Sequence, residues 1–159
     1  RMVHLPPQLN LHREGILAVT EVFEGNLPPA HLNMGIRPDL WCKEAEVGRV
    51  LFRWPNDGSR DIGGGRVFGG WIAGLSDNVV SMCMVTALEE GEGFTTQDLQ
   101  VKIFRPVTGA EIEIEARLVN RSKTTGYIEA EWRLPNGKVA AKVLTWKAIR
   151  PMESFQPRD

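Results

Sequence analysis

The order of apolar and polar positions divides the chain into a leading stretch, one long apolar helix and a run of alternating strands. From Leu11 to Phe23, the residues Ile16, Leu17, Val19, Val22 and Phe23 recur at the spacing of a short amphipathic helix, which Gly25, Pro28 and Pro29 end. Residues from about Met34 to Trp54 read as extended, in one or two strands. Val47, Val50, Leu51, Phe52 and Trp54 crowd the end of that stretch, and Gly48 interrupts strict alternation. Pro55-Asn56-Asp57-Gly58-Ser59 is dense turn chemistry, and the loop runs on through Arg60-Asp61-Ile62 into Gly63-Gly64-Gly65.

From Gly69 to about Leu88 the pattern changes. Trp71, Ile72, Leu75, Val79, Val80, Met82, Met84, Val85 and Leu88 cover most of the circumference of a helix, broken only by Ser76, Asp77, Asn78, Ser81 and Thr86. A helix apolar nearly all round is buried on several sides. At 1.5 Å per residue it spans about 30 Å, which makes it the central element of the domain.

The remainder alternates with period two. Leu99, Val101 and Ile103 alternate with Gln100 and Lys102 until Pro106. Ile112, Ile114, Ala116 and Leu118 alternate with Glu111, Glu113, Glu115 and Arg117. Ile128, Ala130, Trp132 and Leu134 form a third set, Pro135-Asn136-Gly137 a hairpin turn, and Val139 to Ile149 a last strand. Short connectors at Thr108-Gly109 and at Lys123 to Gly126 predict an antiparallel meander of four strands. The expected fold is α+β: a curved antiparallel sheet of five to six strands wrapped around one long central helix. Residues 1–26 form a lead-in with a short helix, 27–150 the domain, and 151–159 a frayed tail. Such a sheet covers only part of the helix, so the remaining apolar side calls for a second subunit.

Composition narrows the partners. Nineteen Lys and Arg against 20 Asp and Glu give a net charge of −1, which removes the electrostatic case for nucleic acid or an anionic membrane. Cys42 and Cys83 are too few for a disulfide framework, and no Cys/His pairing has zinc spacing. The leading residues carry no signal-peptide pattern, so the expected setting is cytoplasmic, with both thiols reduced. Five of the 16 glycines fall within Gly63 to Gly70.

That cluster fails the dinucleotide fingerprint, because position 68 is Phe, and fails the phosphate loop, because no Lys follows Gly69 or Gly70. His4, His12 and His31 all lie far from Asp77 in sequence, and no nucleophile-elbow pattern anchors a serine triad. What remains is a Gly-Gly pair opening a buried helix that carries one acidic residue. Gly69 and Gly70 lack a Cβ, so a ligand oxygen can approach the free N–H groups of the first turn. Those groups and the helix dipole favour developing negative charge, as in an oxyanion site. Tight packing of helix against sheet explains the glycines about equally well. A carboxylate at Asp77 is either a satisfied structural group or one employed in chemistry. Asp77 follows Gly70 by seven residues, about 10 Å along the axis, too far for one chain to bring both to one reacting atom. Two antiparallel copies of the helix bring Gly70 of one beside Asp77 of the other.

At these residues the chain resembles the hotdog-fold acyl-CoA thioesterases of the phenylacetate-degradation (PaaI-like) type, whose motif is His-Gly-Gly, six residues, then Asp. Phe68-Gly69-Gly70, six residues from Trp71 to Ser76, and Asp77 fall on it. Thr95 to Val101, Phe104-Arg105-Pro106, Gly109 and Asn136-Gly137 through Ala140 continue the likeness over about residues 27 to 150. The resemblance implies that Gly69 and Gly70 donate backbone N–H to the thioester carbonyl. It makes Asp77 of the partner chain the nucleophile or the base that activates water. Thr96 stands where some members position that water, and Arg121, Ser122 and Lys123 match a region that meets coenzyme A, or else form a solvated hairpin. Phe68, Trp71 and Asn78 are the remaining substrate-binding candidates. The resemblance further implies a homodimer or a dimer-of-dimers tetramer, acyl-CoA as the partner molecule, and no metal or separate cofactor, coenzyme A being part of the substrate. Phe68 replaces the motif His, and Ile62 stands where many members have Asn, so the site is more apolar than usual. The expected function is hydrolysis of an acyl or aryl thioester to free acid and coenzyme A. The alternative is a non-catalytic acyl-CoA binding protein on the same scaffold.

Overall fold

The computed structural model describes residue 22 and residues 24–155; the helix expected over residues 11–23 lies otherwise outside them. Two short helices lead in, α1 (Pro29–Met34) and α2 (Pro38–Trp41), each with Pro in its first turn, where no intrahelical N–H is lost. The stretch expected to be extended from Met34 instead holds a left-handed cap at Gly35 and the four residues of α2 before any strand begins. It then forms a hairpin of β1 (Cys42–Glu46) and β2 (Arg49–Pro55). Gly48, at φ 78°, is the turn of that hairpin and not a flaw inside a strand.

The central helix, α3 (Gly69–Thr86), begins where the glycine pair placed it. Four long strands follow: β3 (Glu92–Ile103), β4 (Glu111–Arg121), β5 (Thr125–Arg133) and β6 (Val139–Pro151). All pairings are antiparallel, in the order β1-β2-β4-β5-β6-β3. The four strands are thus not one meander. Residues 104–110 carry the chain across the sheet, so β3 pairs with β6 at one edge and the β1–β2 hairpin takes the place beside β4. A strand continues locally only if its neighbour's edge is free, and the hairpin occupies the edge that a meander would have given to β3.

The inner face of the sheet closes over α3. Leu75, Val79, Val80, Cys83 and Met84 on the helix meet Phe52, Ile112, Ile114, Ile128, Trp132 and Val143 on the strands, all buried. Trp41, Trp71, Trp54 and Trp132 run through this core as a chain of ring contacts at 6.1, 5.7 and 5.9 Å. The Trp132 indole N–H donates to the buried Ser76 hydroxyl at 2.8 Å, which settles the polar handle of the largest core residue. The uncovered side of α3 is narrower than its composition predicts. Gly70, Ala73, Gly74, Asp77, Ser81 and Val85 make up its open stripe, and these side chains are mostly small. A 3₁₀ turn, Met152–Phe155, follows β6, and the Phe155 ring fills the space beside Gly93. Among the described residues no helix is long and apolar enough to cross a membrane.

Candidate active site

The open stripe of α3 carries the helix's one charged residue. Asp77 is half exposed, at 51%, although the helix around it is core. Two turns before it, Phe68 precedes the helix with φ −59° and ψ 128° and makes no side-chain cap. The N–H groups of Trp71 and Ile72 bond the Phe68 carbonyl, and among the described residues nothing accepts from the N–H of Gly69 or Gly70. Two free donors thus stand at the positive end of the helix dipole, Gly70 on the Asp77 face and Gly69 beside Ile103. The exposed Phe68 ring lies across the first turn, where a Cβ on Gly70 would collide with it. The three glycines before this point, Gly63, Gly64 and Gly65, all have positive φ, a backbone that side chains resist.

A groove of about 300 Å³ opens beside Gly69. Val67, Ile72, Ile103 and Val107 line it, with Arg66 and Arg105 also on its wall. Ile62 belongs to this groove as well, and is 61% exposed. Trp71 does not. It is buried in the tryptophan chain, with the Arg60 guanidinium 3.9 Å above its ring, and is core.

Across the stripe from α3, edge strand β3 presents Thr96. A bulge at Gln97 shifts the register so that Thr96 pairs with Lys147 and Asp98 with Trp146. The Asp98 side chain fixes the bulge by accepting from the Trp146 N–H at 2.7 Å, while its carbonyl accepts from the Thr145 hydroxyl at 2.7 Å. Lys147 on β6 is wholly buried and points at the same place. Its ammonium donates to Thr96 Oγ1 at 2.8 Å and Ser81 Oγ at 3.3 Å and stands 3.8 Å from Asp77 Oδ1. Burial pushes its pKa below the usual lysine range, and the Asp77 charge opposes that shift.

His31 is a second residue that sequence distance hid. Helix α1 folds back along α3, placing Met34 over Gly74 and His31 Nε2 3.3 Å from Asn78 Nδ2. Far from Asp77 in sequence, His31 comes within reach of its charge in the fold: burial lowers the His31 pKa and the Asp77 charge raises it. Among the described residues, His31 Nδ1 and Asn78 Oδ1 are buried without a partner. Asn78 is itself buried, one position beyond Asp77, and meets His31 instead of facing the open stripe.

The expected coenzyme A region lies elsewhere. Arg121 binds both Glu92 carboxylate oxygens, at 2.6 and 2.5 Å, and the Ala87 carbonyl at the far end of α3. Ser122 Oγ bonds Thr125 Oγ1 at 2.7 Å within the β4–β5 turn, and Lys123 is exposed. Ala87 follows Asp77 by ten residues, about 15 Å along the helix. The structure brings Asp77, Thr96, Gly69 and Gly70 to one side of the molecule and leaves Arg121 to Lys123 at its end.

A family model for the thioesterase superfamily matches residues 64–141, the stretch that holds the glycine pair, Asp77 and Thr96. Among solved structures, a thioesterase from Haemophilus influenzae superposes with a TM-score of 0.71 at 15% identity, over 87% of this chain and 94% of that one. This is the hotdog fold. A phenylacetic acid degradation-related protein from Ralstonia eutropha shares it at 22% identity and a TM-score of 0.66, over 81% of this chain and 97% of that one. A hypothetical thioesterase from Streptococcus pneumoniae, solved as an Asp-to-Ala and a Thr-to-Ala mutant, shares it at 13% identity and a TM-score of 0.63, over 70% of this chain and up to 90% of that one. No curated protein matches the chain. In hotdog terms, the long helix is α3 and the sheet around it is β1 to β6, in the six-strand form.

Proposed function

We propose that the protein hydrolyses an acyl-CoA thioester at a site built from two copies of the chain, of the PaaI-like kind. The observation that carries this reading is that α3 starts with two N–H donors, at Gly69 and Gly70, that have no partner among the described residues, and carries the single carboxylate of Asp77 on its open stripe. Donors for the carbonyl oxygen and a carboxylate that attacks, or that activates water, are together one sufficient set for thioester hydrolysis. The two lie about 10 Å apart along one helix, so each copy supplies one half.

In this reading, the thioester carbonyl of the substrate lies at the helix start of one copy, its oxygen accepting from Gly69 and Gly70. The partner's carboxylate, at position 77, takes a proton from a water whose oxygen bonds the carbonyl carbon, or bonds that carbon itself. The tetrahedral oxyanion collapses, the C–S bond breaks and its electron pair leaves on sulfur. Thiols ionise near pKa 8.5, so coenzyme A is a ready leaving group and takes up the proton held by the carboxylate. In the variant where the carboxylate attacks first, water then hydrolyses the acyl-enzyme anhydride. The groove beside Gly69 receives the substrate next to its carbonyl, its apolar wall against carbon and Arg66 and Arg105 toward negative charge.

Two features support the pairing of copies. Ala73, Asp77, Ser81 and Val85 of the stripe stay at least partly exposed, and β3 leaves a 12-residue edge open on one side. A two-fold axis across α3 runs the helices antiparallel, in a homodimer or a dimer of dimers. The test is purified protein against short, medium, long and aromatic acyl-CoAs with a thiol reagent. Thiol release that Asp77→Asn abolishes supports the reading. Binding without release across the panel selects the non-catalytic binding protein instead.

A further inference from the structure

A wholly buried ammonium is costly unless every donor is used, and an apolar side chain of like volume commonly serves stability as well or better. Lys147 occupies such a slot. It shares the inner face of β6 with Val143, Thr145 and Ile149, none of them charged, and β5 sets Gly126 opposite it. The Phe94 ring centroid lies 5.6 Å from Nζ on the β3 side. The other titratable groups acting on it are Asp77 and Cys83 from α3 and Asp98 from β3. Burial pushes the Cys83 thiol up to about 12, so it is uncharged near neutrality. Asp98 is held by the Trp146 N–H at 2.7 Å. Asp77 is the carboxylate Nζ approaches, at 3.8 Å.

The hydrogen-bond inventory fixes directions here. An ammonium has three donors and accepts nothing, whereas a hydroxyl has one proton and accepts as well. Thr96 at 2.8 Å and Ser81 at 3.3 Å therefore give their oxygens to Lys147. Each keeps its own proton for an acceptor on the open stripe, where Asp77 stands. We propose that Lys147 is a positioning residue of the Asp77 site: it turns the Thr96 and Ser81 hydroxyls into donors facing the attacking water or the Asp77 carboxylate, and holds a fixed positive charge beside that carboxylate. A water that accepts from Thr96 keeps its protons for Asp77 and its remaining lone pair for the carbonyl carbon. The proposal rests on the hydrolase reading above for the reaction it serves, but not for the coupling it asserts.

The experiment compares Lys147→Met and Lys147→Arg with the unaltered protein. Lys147→Met should stay folded, with a melting temperature no lower, and lose about 10²-fold in kcat with little change in KM, the scale of a misplaced reacting group. Lys147→Arg keeps the charge at all pH values and should recover part of kcat. It should also move the alkaline fall in rate upward, because the lysine's proton no longer sets it. Unchanged kcat in Lys147→Met, or an unmoved alkaline limb in Lys147→Arg, overturns the proposal. A second arm needs no turnover: the Lys147 side-chain signal is titrated by NMR in the unaltered protein and in Asp77→Asn. Loss of the carboxylate should lower the lysine pKa further, and an unmoved titration overturns the proposal. Absence of turnover in the unaltered protein would end the hydrolase reading and leave this second arm to decide the role of Lys147.

Discussion

Asn78 Nδ2 lies 3.3 Å from His31 Nε2 and places an imidazole from α1 beside the one carboxylate of α3. Burial disfavours a charge on this ring, and the roles of its two nitrogens follow the tautomer it takes. The fold thus prefers the uncharged form, in line with a pKa lowered by burial and only partly restored by Asp77.

The sign of the pH dependence follows. Between the lowered folded value and the ordinary 6.5 the unfolded chain binds more protons, so stability falls as pH drops through that window. Urea unfolding at several pH values between neutrality and mild acid should show a steeper loss for the unaltered protein than for His31→Gln. Parallel curves contradict this.

Asp77→Asn separates chemistry from stability. Its carboxylate is half exposed and 3.8 Å from Lys147, which keeps its bonds to Thr96 and Ser81, so solvent screening holds the loss to about 1 kcal/mol. The variant should unfold at nearly the same urea concentration and lose about 10²- to 10⁴-fold in thiol release from acyl-CoA. A large loss of stability would make Asp77 a structural carboxylate.

Ser76→Ala reads the opposite case. The Ser76 hydroxyl and Trp132 are fully buried, and the indole N–H has that oxygen as its partner at 2.8 Å. Leaving the indole unpaired should cost about 1–3 kcal/mol in denaturant unfolding while kcat is unchanged. A neutral result would mean that another acceptor reaches Trp132.

Much of this fold was legible because its signals are local. The all-round apolar run from Gly69, the period-two strands and the Asn136-Gly137 turn each determine a segment without reference to the rest. Strand order was not legible, since nothing near β3 states that β6, not β4, will be its neighbour. The glycine pair and Asp77 stand out in the sequence as candidates because they share one helix and one period. His31 and Lys147 were missed for the reverse reason: each reaches Asp77 from another element, across 46 and 70 residues of chain. A signal for Lys147 did exist. It is in phase with Val143, Thr145 and Ile149 on β6, so alternation alone places it inward. Trp146 on the neighbouring phase concealed this, because the largest apolar residue of the strand faces outward at 42% exposure.

The central claim, that one site draws its donors and its carboxylate from different copies, is tested most directly by mixing two inactive variants. Gly69 is the first residue of α3, where Pro is tolerated, and the extended backbone of Phe68 suits a following Pro. Gly69→Pro thus removes one donor N–H, with an expected loss of about 10²- to 10³-fold in kcat. Gly69→Pro and Asp77→Asn proteins are unfolded together, refolded in equal amounts and assayed for thiol release. A shared site restores about a quarter of the unaltered activity, because half the dimers are mixed and each mixed dimer holds one intact site. Activity no higher than that of the separate variants would place both halves of the site in a single chain and contradict the account.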